Sequence, residues 1–115
     1  MVREELKELH GKGKLSFEAT FEKLSKDKIF AEKDTALLTG VTHNGKEVSD
    51  HIWIKAGKRL KKFIEKHDIK PGTRIRFTAI VVEYFHAGKR DFYTNYSLGE
   101  LRSIQLAEDV NERNN

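Results

Sequence analysis

Lys70-Pro71-Gly72-Thr73-Arg74-Ile75-Arg76-Phe77-Thr78-Ala79-Ile80-Val81-Val82-Glu83-Tyr84 is the stretch whose reading decides the fold. Pro71-Gly72 marks a turn, because proline presets one dihedral and glycine permits the reversal. The residues after it alternate: Ile75, Phe77, Ala79 and Val81 share one face of an extended strand, and Arg74, Arg76, Thr78, Ile80, Val82 and Tyr84 share the other. One face is apolar and fit for a core; the other is mixed, basic and ends in an aromatic ring. On the N-terminal side, Gly57–His67 changes period. Leu60, Phe63 and Ile64 fall at i, i+3 and i+4 among Lys58, Arg59, Lys61, Lys62 and Lys66, which is the pattern of an amphipathic helix.

Further upstream, Leu15, Phe17, Ala19 and Phe21 alternate with Ser16, Glu18, Thr20 and Glu22, a half-buried strand. Thr35–His43 and Lys46–Ala56 are two strands joined by Asn44-Gly45, a strong hairpin signal. Downstream, Phe85–Asp91 is a loop, and Phe92–Leu106 holds the last strand, with a bend or bulge expected at Gly99. Residues 1–13 read as a lead-in with a marginal helical turn, and residues 107–115 as a flexible polar tail. The domain therefore runs over residues 14–106.

The chain has 115 residues, one ordinary domain, with a net charge of +4 and no cysteine. Disulfides and thiolate metal sites are thus excluded. No apolar run approaches the ~18 residues of a membrane span, and the N-terminus has no apolar signal core, so a cytoplasmic protein is expected. The charge is uneven. Residues 55–76 hold nine Lys or Arg against Glu65 and Asp68, a local +7 that leaves −3 elsewhere. A local basic zone of this kind suits a polyanion, through phosphate neutralisation and counterion release.

Three strands, a helix and two strands is an all-β order. With one helix between strands 3 and 4 it matches the five-stranded OB-fold, a small β-barrel. Leu15, Phe17, Phe21, Ile52, Ile54, Ile75, Phe77 and Val81 would fill its interior, and Leu60, Phe63 and Ile64 would plug one end. Asp50-His51-Ile52-Trp53-Ile54, the helix, then Lys70–Ala79 and Tyr84 resemble small OB-fold proteins related to single-stranded-DNA-binding proteins, several of them encoded by phages and mobile elements. The resemblance covers most of residues 14–106, although Thr73 stands where that group often has an acidic residue. It implies nucleic-acid binding; the expectation taken from the whole chain is a single-stranded nucleic acid, DNA before RNA, bound with little sequence preference in replication or recombination, with no chemistry and no cofactor.

OB-folds bind over the second and third strands and between the first-second and fourth-fifth loops. On that map Trp53, the only tryptophan, faces outward beside His51 and Lys55 and offers a stacking platform. Around the fourth-fifth loop, Tyr84, Lys89, Arg90 and Tyr93 are the set expected at the surface, since adjacent Phe92 and Tyr93 cannot both point inward. Arg74 and Arg76 are expected to meet phosphates, and Phe30 and Lys33 lie near the first-second loop. A protein-interaction module whose aromatic patch meets another protein of a larger complex is the alternative, and unpaired strand edges leave a homodimer open.

Other patterns fail on physical grounds. Gly40–Lys46 begins like a phosphate-binding loop, but Glu47 replaces the Ser or Thr and the context is a hairpin. Ser49-Asp50-His51 holds relay residue types, yet consecutive strand residues are expected to face opposite ways. The five histidines show no metal-ligand spacing, and the Asn95-Tyr96-Ser97 sequon matters only in a secreted chain.

Overall fold

The computed structural model describes residues 3–107; the expected tail beyond them lies outside the described residues. The order is α1 (Glu4–Leu9), β1 (Leu15–Ser25), a short 3-10 turn (Ala31–Lys33), β2 (Thr35–His43), β3 (Lys46–Lys55), α2 (Lys58–Lys66), β4 (Thr73–Ala87) and β5 (Phe92–Leu106). The five strands form one antiparallel sheet in the order β3-β2-β1-β4-β5.

Local chemistry explains the turns. Asn44 and Gly45 both take positive φ, 52° and 80°, as a tight two-residue hairpin requires. Gly72 has φ 94° and Thr73 N–H donates to the Lys70 carbonyl at 3.2 Å, which makes Lys70–Thr73 a type II turn with proline at its second position. α2 ends when Asp68 takes a left-handed φ of 49°. Asp68 N–H then donates to the Glu65 carbonyl and Ile69 N–H to the Ile64 carbonyl, satisfying carbonyls that the helix leaves open.

The core gathers on one face of the sheet. Phe17, Ala19 and Phe21 of β1, Leu38 and Val41 of β2, Ile52 and Ile54 of β3, and Ile75, Phe77, Ala79 and Val81 of β4 are all buried. Leu60 of α2 joins them, with Phe63 and Ile64 half-buried against the cluster. Leu15 is only half-buried.

The barrel expected from the strand order is not closed. β3 and β5 approach each other, yet no ladder joins them among the described residues. The segment expected as a lead-in lies at this seam. α1 touches both β3 and β5, and Leu6 is wholly buried in the core. The seam is covered by a helix, one of the ways proteins protect a strand edge. The expected irregularity near Gly99 falls one residue later: Glu100 and Ser103 take left-handed φ values of 54° and 52°, at two bulges where β5 carries one extra residue against β4. Such bulges increase strand twist and coil the sheet.

Candidate functional site

Register brings the outward-facing side chains of β1, β2 and β3 into rows. Lys23, Leu37 and Trp53 form one row; Thr20, Thr39 and His51 form the next. Because Ile52 and Ile54 take the buried parity, Trp53 faces out and is 43% exposed. The Lys23 ammonium lies 5.5 Å from the centre of its ring. Lys55 is exposed two residues further along β3. Trp53, His51 and Lys55 are therefore together, and Lys23, unexpected from the sequence, joins them.

His51 has a second neighbour. Its Nδ1 lies 3.0 Å from the Asp50 carboxylate, which holds the Asp50 carboxyl below its ordinary range. Alternation should have kept these two apart. A register shift opposite Val41 and Thr42 breaks the alternation, so Val48 and Ser49 are both buried while Asp50 and His51 are both exposed. No serine relay results, because the Ser49 hydroxyl donates to the His51 backbone carbonyl at 2.6 Å.

The two arginines of β4 share this outward side but spend their donors on the sheet. Glu18 and Arg76 are cross-strand partners, and the guanidinium meets the Glu18 carboxylate at 2.8 Å. Arg74 donates to the Gly40 carbonyl at 2.7 Å, to Thr42 Oγ1 at 3.1 Å and to Thr20 Oγ1 at 3.2 Å, with its Nε 3.8 Å from Glu18. Two guanidiniums on one carboxylate leave one surplus positive charge, half-buried. The two arginines expected to meet phosphates thus brace β1, β2 and β4 against one another.

The β4–β5 arm sorts its aromatic residues by register. Phe85 and Phe92 stack at 6.1 Å on one side, 65% and 70% exposed. Opposite them, His86 stacks on its cross-strand partner Tyr93 at 4.6 Å, which leaves Tyr93 half-buried. Phe92 is thus the exposed member of the adjacent pair, against expectation. Tyr84 is 40% exposed, and its hydroxyl accepts a hydrogen bond from Arg3 at 3.0 Å. Lys89 and Arg90 are exposed at the tip.

The β1–β2 loop is built by two aspartates. The Asp27 carboxylate accepts the Phe30 and Ile29 N–H groups at 2.8 and 2.9 Å, and these bonds hold its carboxyl below the ordinary range. Asp34 is buried. It pairs with Lys61 of α2 at 2.7 Å and accepts the Asp27 N–H at 2.7 Å, and both contacts lower its pKa, the lysine foremost. The loop so held displays Ile29 and Phe30, with the Lys33 ammonium 4.8 Å from the Phe30 ring centre.

The expected site residues are thus not one constellation. Trp53, Lys55 and His51 share the outward sheet face, and Phe30 pairs with Lys33 on the first loop. Tyr84 and Tyr93 line an open groove of about 630 Å³, together with Arg3, Glu47 and His86, and His51 borders both. Lys23, Phe85 and Phe92 are additions that strand periodicity alone did not reveal. Among the described residues, no cluster of three His, Asp or Glu side chains could hold a metal ion, and no helix is long and apolar enough to cross a membrane. No protein-family model, curated protein or solved structure matches this chain.

Proposed function

We propose that this chain is an OB-fold-type domain that binds single-stranded nucleic acid, DNA foremost, with little sequence preference. The strand order and the placement of α2 support an OB-type barrel whose β3–β5 seam is covered by α1. One observation carries the functional reading: a lone tryptophan, 43% exposed on the outward side of β3, with Lys23 over its ring and Lys55 beside it. An exposed indole accepts a base of any identity on its π-face, and adjacent ammonium groups follow the phosphates. The exposed Phe85–Phe92 stack, with Lys89 and Arg90 at the same arm's tip, repeats that combination of ring and cation. The chain acts by binding, with no bond made or broken.

The test is quenching of intrinsic fluorescence on titration with a dT oligonucleotide at low and high salt. Strong quenching at low salt that weakens as salt rises is expected, with a log–log slope of about −0.7 per phosphate neutralised. Absence of quenching at low salt, together with no binding by polarisation of a labelled oligonucleotide, would overturn the reading.

A further inference from the structure

A cavity of about 440 Å³ opens at the C-terminal end of β3. Lys55 ends that strand, Lys58 and Arg59 begin α2, Arg102 comes from β5, and all four line it. None of the four has an ion-pair partner among the described residues, and the one carboxylate on the lining is the exposed Glu100. The floor is aliphatic: Leu60 and Leu98 are buried, and Leu101 is half-buried. Strict alternation would set Leu98 and Leu101 on opposite sides of β5. The bulge at Glu100, with its φ of 54°, brings both to the cavity, since a bulge re-aims side chains. The lining is therefore cationic at the rim and apolar beneath. That combination fits a ligand with a flat apolar face and an anionic group.

Lys55 joins this cavity to the tryptophan. It follows Trp53 on the same exposed parity of β3, ~7 Å further along the strand. Beyond the cavity, Lys58, Lys62 and Lys66 are exposed at i, i+4 and i+8 and form one stripe along α2. Like charges at this spacing destabilise a helix, so the stripe brings the fold no benefit of its own. We infer, building on the single-strand reading, that the cavity receives one nucleotide of the bound strand. Its base lies over Leu101, its phosphates meet Lys58, Arg59 and Arg102, and α2 carries the strand onward, off the sheet face. The volume lies within the ~300–1,000 Å³ of small-ligand sites. Continuity chooses the occupant. An acidic peptide would also suit the cations, but a strand stacked on Trp53 reaches Lys55, and with it the cavity, without leaving the protein surface.

Polarisation of a labelled dT oligonucleotide compares the full-length parent with the triple variant Lys58→Ala, Arg59→Ala, Arg102→Ala, with circular dichroism as a check on folding. Binding at low salt should weaken at least about tenfold, and the log–log salt slope should become shallower by about 2, at about 0.7 per phosphate contact. Glu100→Gln removes the carboxylate from the lining and should tighten binding about twofold at low salt. The chain holds no native cysteine, so a Leu101→Cys variant reports on the floor. Its alkylation by iodoacetamide should slow at least about fivefold when the oligonucleotide saturates the protein, because access to the thiol limits the reaction. Alkylation of a Lys46→Cys variant, on the β2–β3 hairpin, should not slow. Equal affinity and slope in parent and triple variant overturn the inference, and so does undiminished alkylation at position 101. Protection at that position by a leucine-bearing acidic peptide, but not by the oligonucleotide, overturns it in favour of a protein partner. Trp53 quenching that persists in these cases refutes the cavity and leaves the stacking; no quenching and no binding by the parent refute both.

Discussion

Replacing Trp53 with alanine tests the stacking platform directly, and the structure bounds the effect. Base–aromatic stacking contributes about 1–3 kcal/mol per base. More than half of the residue's surface is already covered, since it is 43% exposed, so a base covers only what remains. The lower part of the range, about 1–2 kcal/mol, applies, which weakens binding about 5- to 30-fold. The Lys23 ammonium lies 5.5 Å over the same ring, and a cation–π contact at an exposed site contributes about 0.5–1 kcal/mol. A base stacking on that face displaces the ammonium, which is then free to meet a phosphate. The two residues should therefore fail in different ways. Trp53→Ala should lower affinity by a similar factor at every salt concentration and leave the salt slope unchanged. Lys23→Ala should reduce the slope by about 0.7 and converge on the parent at high salt. Trp53→Phe, which keeps a smaller π-face, should fall between parent and Trp53→Ala. Polarisation of a labelled dT oligonucleotide reads all three without relying on tryptophan emission. Trp53→Ala affinity within twofold of the parent would refute the reasoning, as would a loss seen only at low salt.

Acid should weaken the fold through the β1–β2 loop. Lys61 and the Asp27 N–H hold the folded pKa of Asp34 below its unfolded value of about 4, so the unfolded chain binds more protons between the two. That contribution is complete above the unfolded value and disappears as pH falls through the folded one; urea midpoints from pH 5 to pH 2 should fall less steeply in Asp34→Asn than in the parent. Leu6→Ala should cost about 2–5 kcal/mol in urea unfolding, because the side chain is wholly buried, whereas a frayed lead-in would leave the midpoint unmoved. The double substitution Phe85→Ser, Phe92→Ser should shift stability by no more than about 1.5 kcal/mol, the upper worth of an aromatic pair, yet weaken oligonucleotide binding several-fold; unchanged oligonucleotide binding would assign that stack to another role.

Periodicity made the sheet legible because each strand has one buried face. Phe17, Ala19 and Phe21 had to share a side, as did Ile75, Phe77, Ala79 and Val81, and the turns at Asn44-Gly45 and Pro71-Gly72 announced themselves through left-handed φ requirements. The same logic put Trp53 outward by placing Ile52 and Ile54 inward. What it could not supply was register. Glu18 faces Arg76 only because β1 and β4 pair at one offset among several that keep the apolar faces together, and that offset turns two free-looking arginines into sheet braces. The Phe92–Tyr93 choice failed for the same reason: parity says that the two point opposite ways, and only pairing with His86 says which way. The helical turn at the N-terminus was legible, but its docking against the sheet was not, for another reason. A six-residue helix has little intrinsic stability, and Leu6 earns its place through tertiary packing alone.

The pairings also redraw the basic zone of residues 55–76. Lys61 is bound to Asp34, Lys70 to Asp68, and Arg74 and Arg76 to Glu18. Lys55, Lys58, Arg59, Lys62 and Lys66 have no ion-pair partner among the described residues. Within this zone the cations without an ion-pair partner thus gather at the end of β3 and along α2. Lys55, Lys58 and Arg59 line the cavity beside β5, with Arg102 across from them. On the proposed reading, a strand stacked on Trp53 finds its next counter-charges past Lys55, toward the start of α2. The opposite course, toward the exposed Asp50 and Glu47, is uphill. On that reading, charge gives a bound strand its course along β3, from Trp53 toward α2.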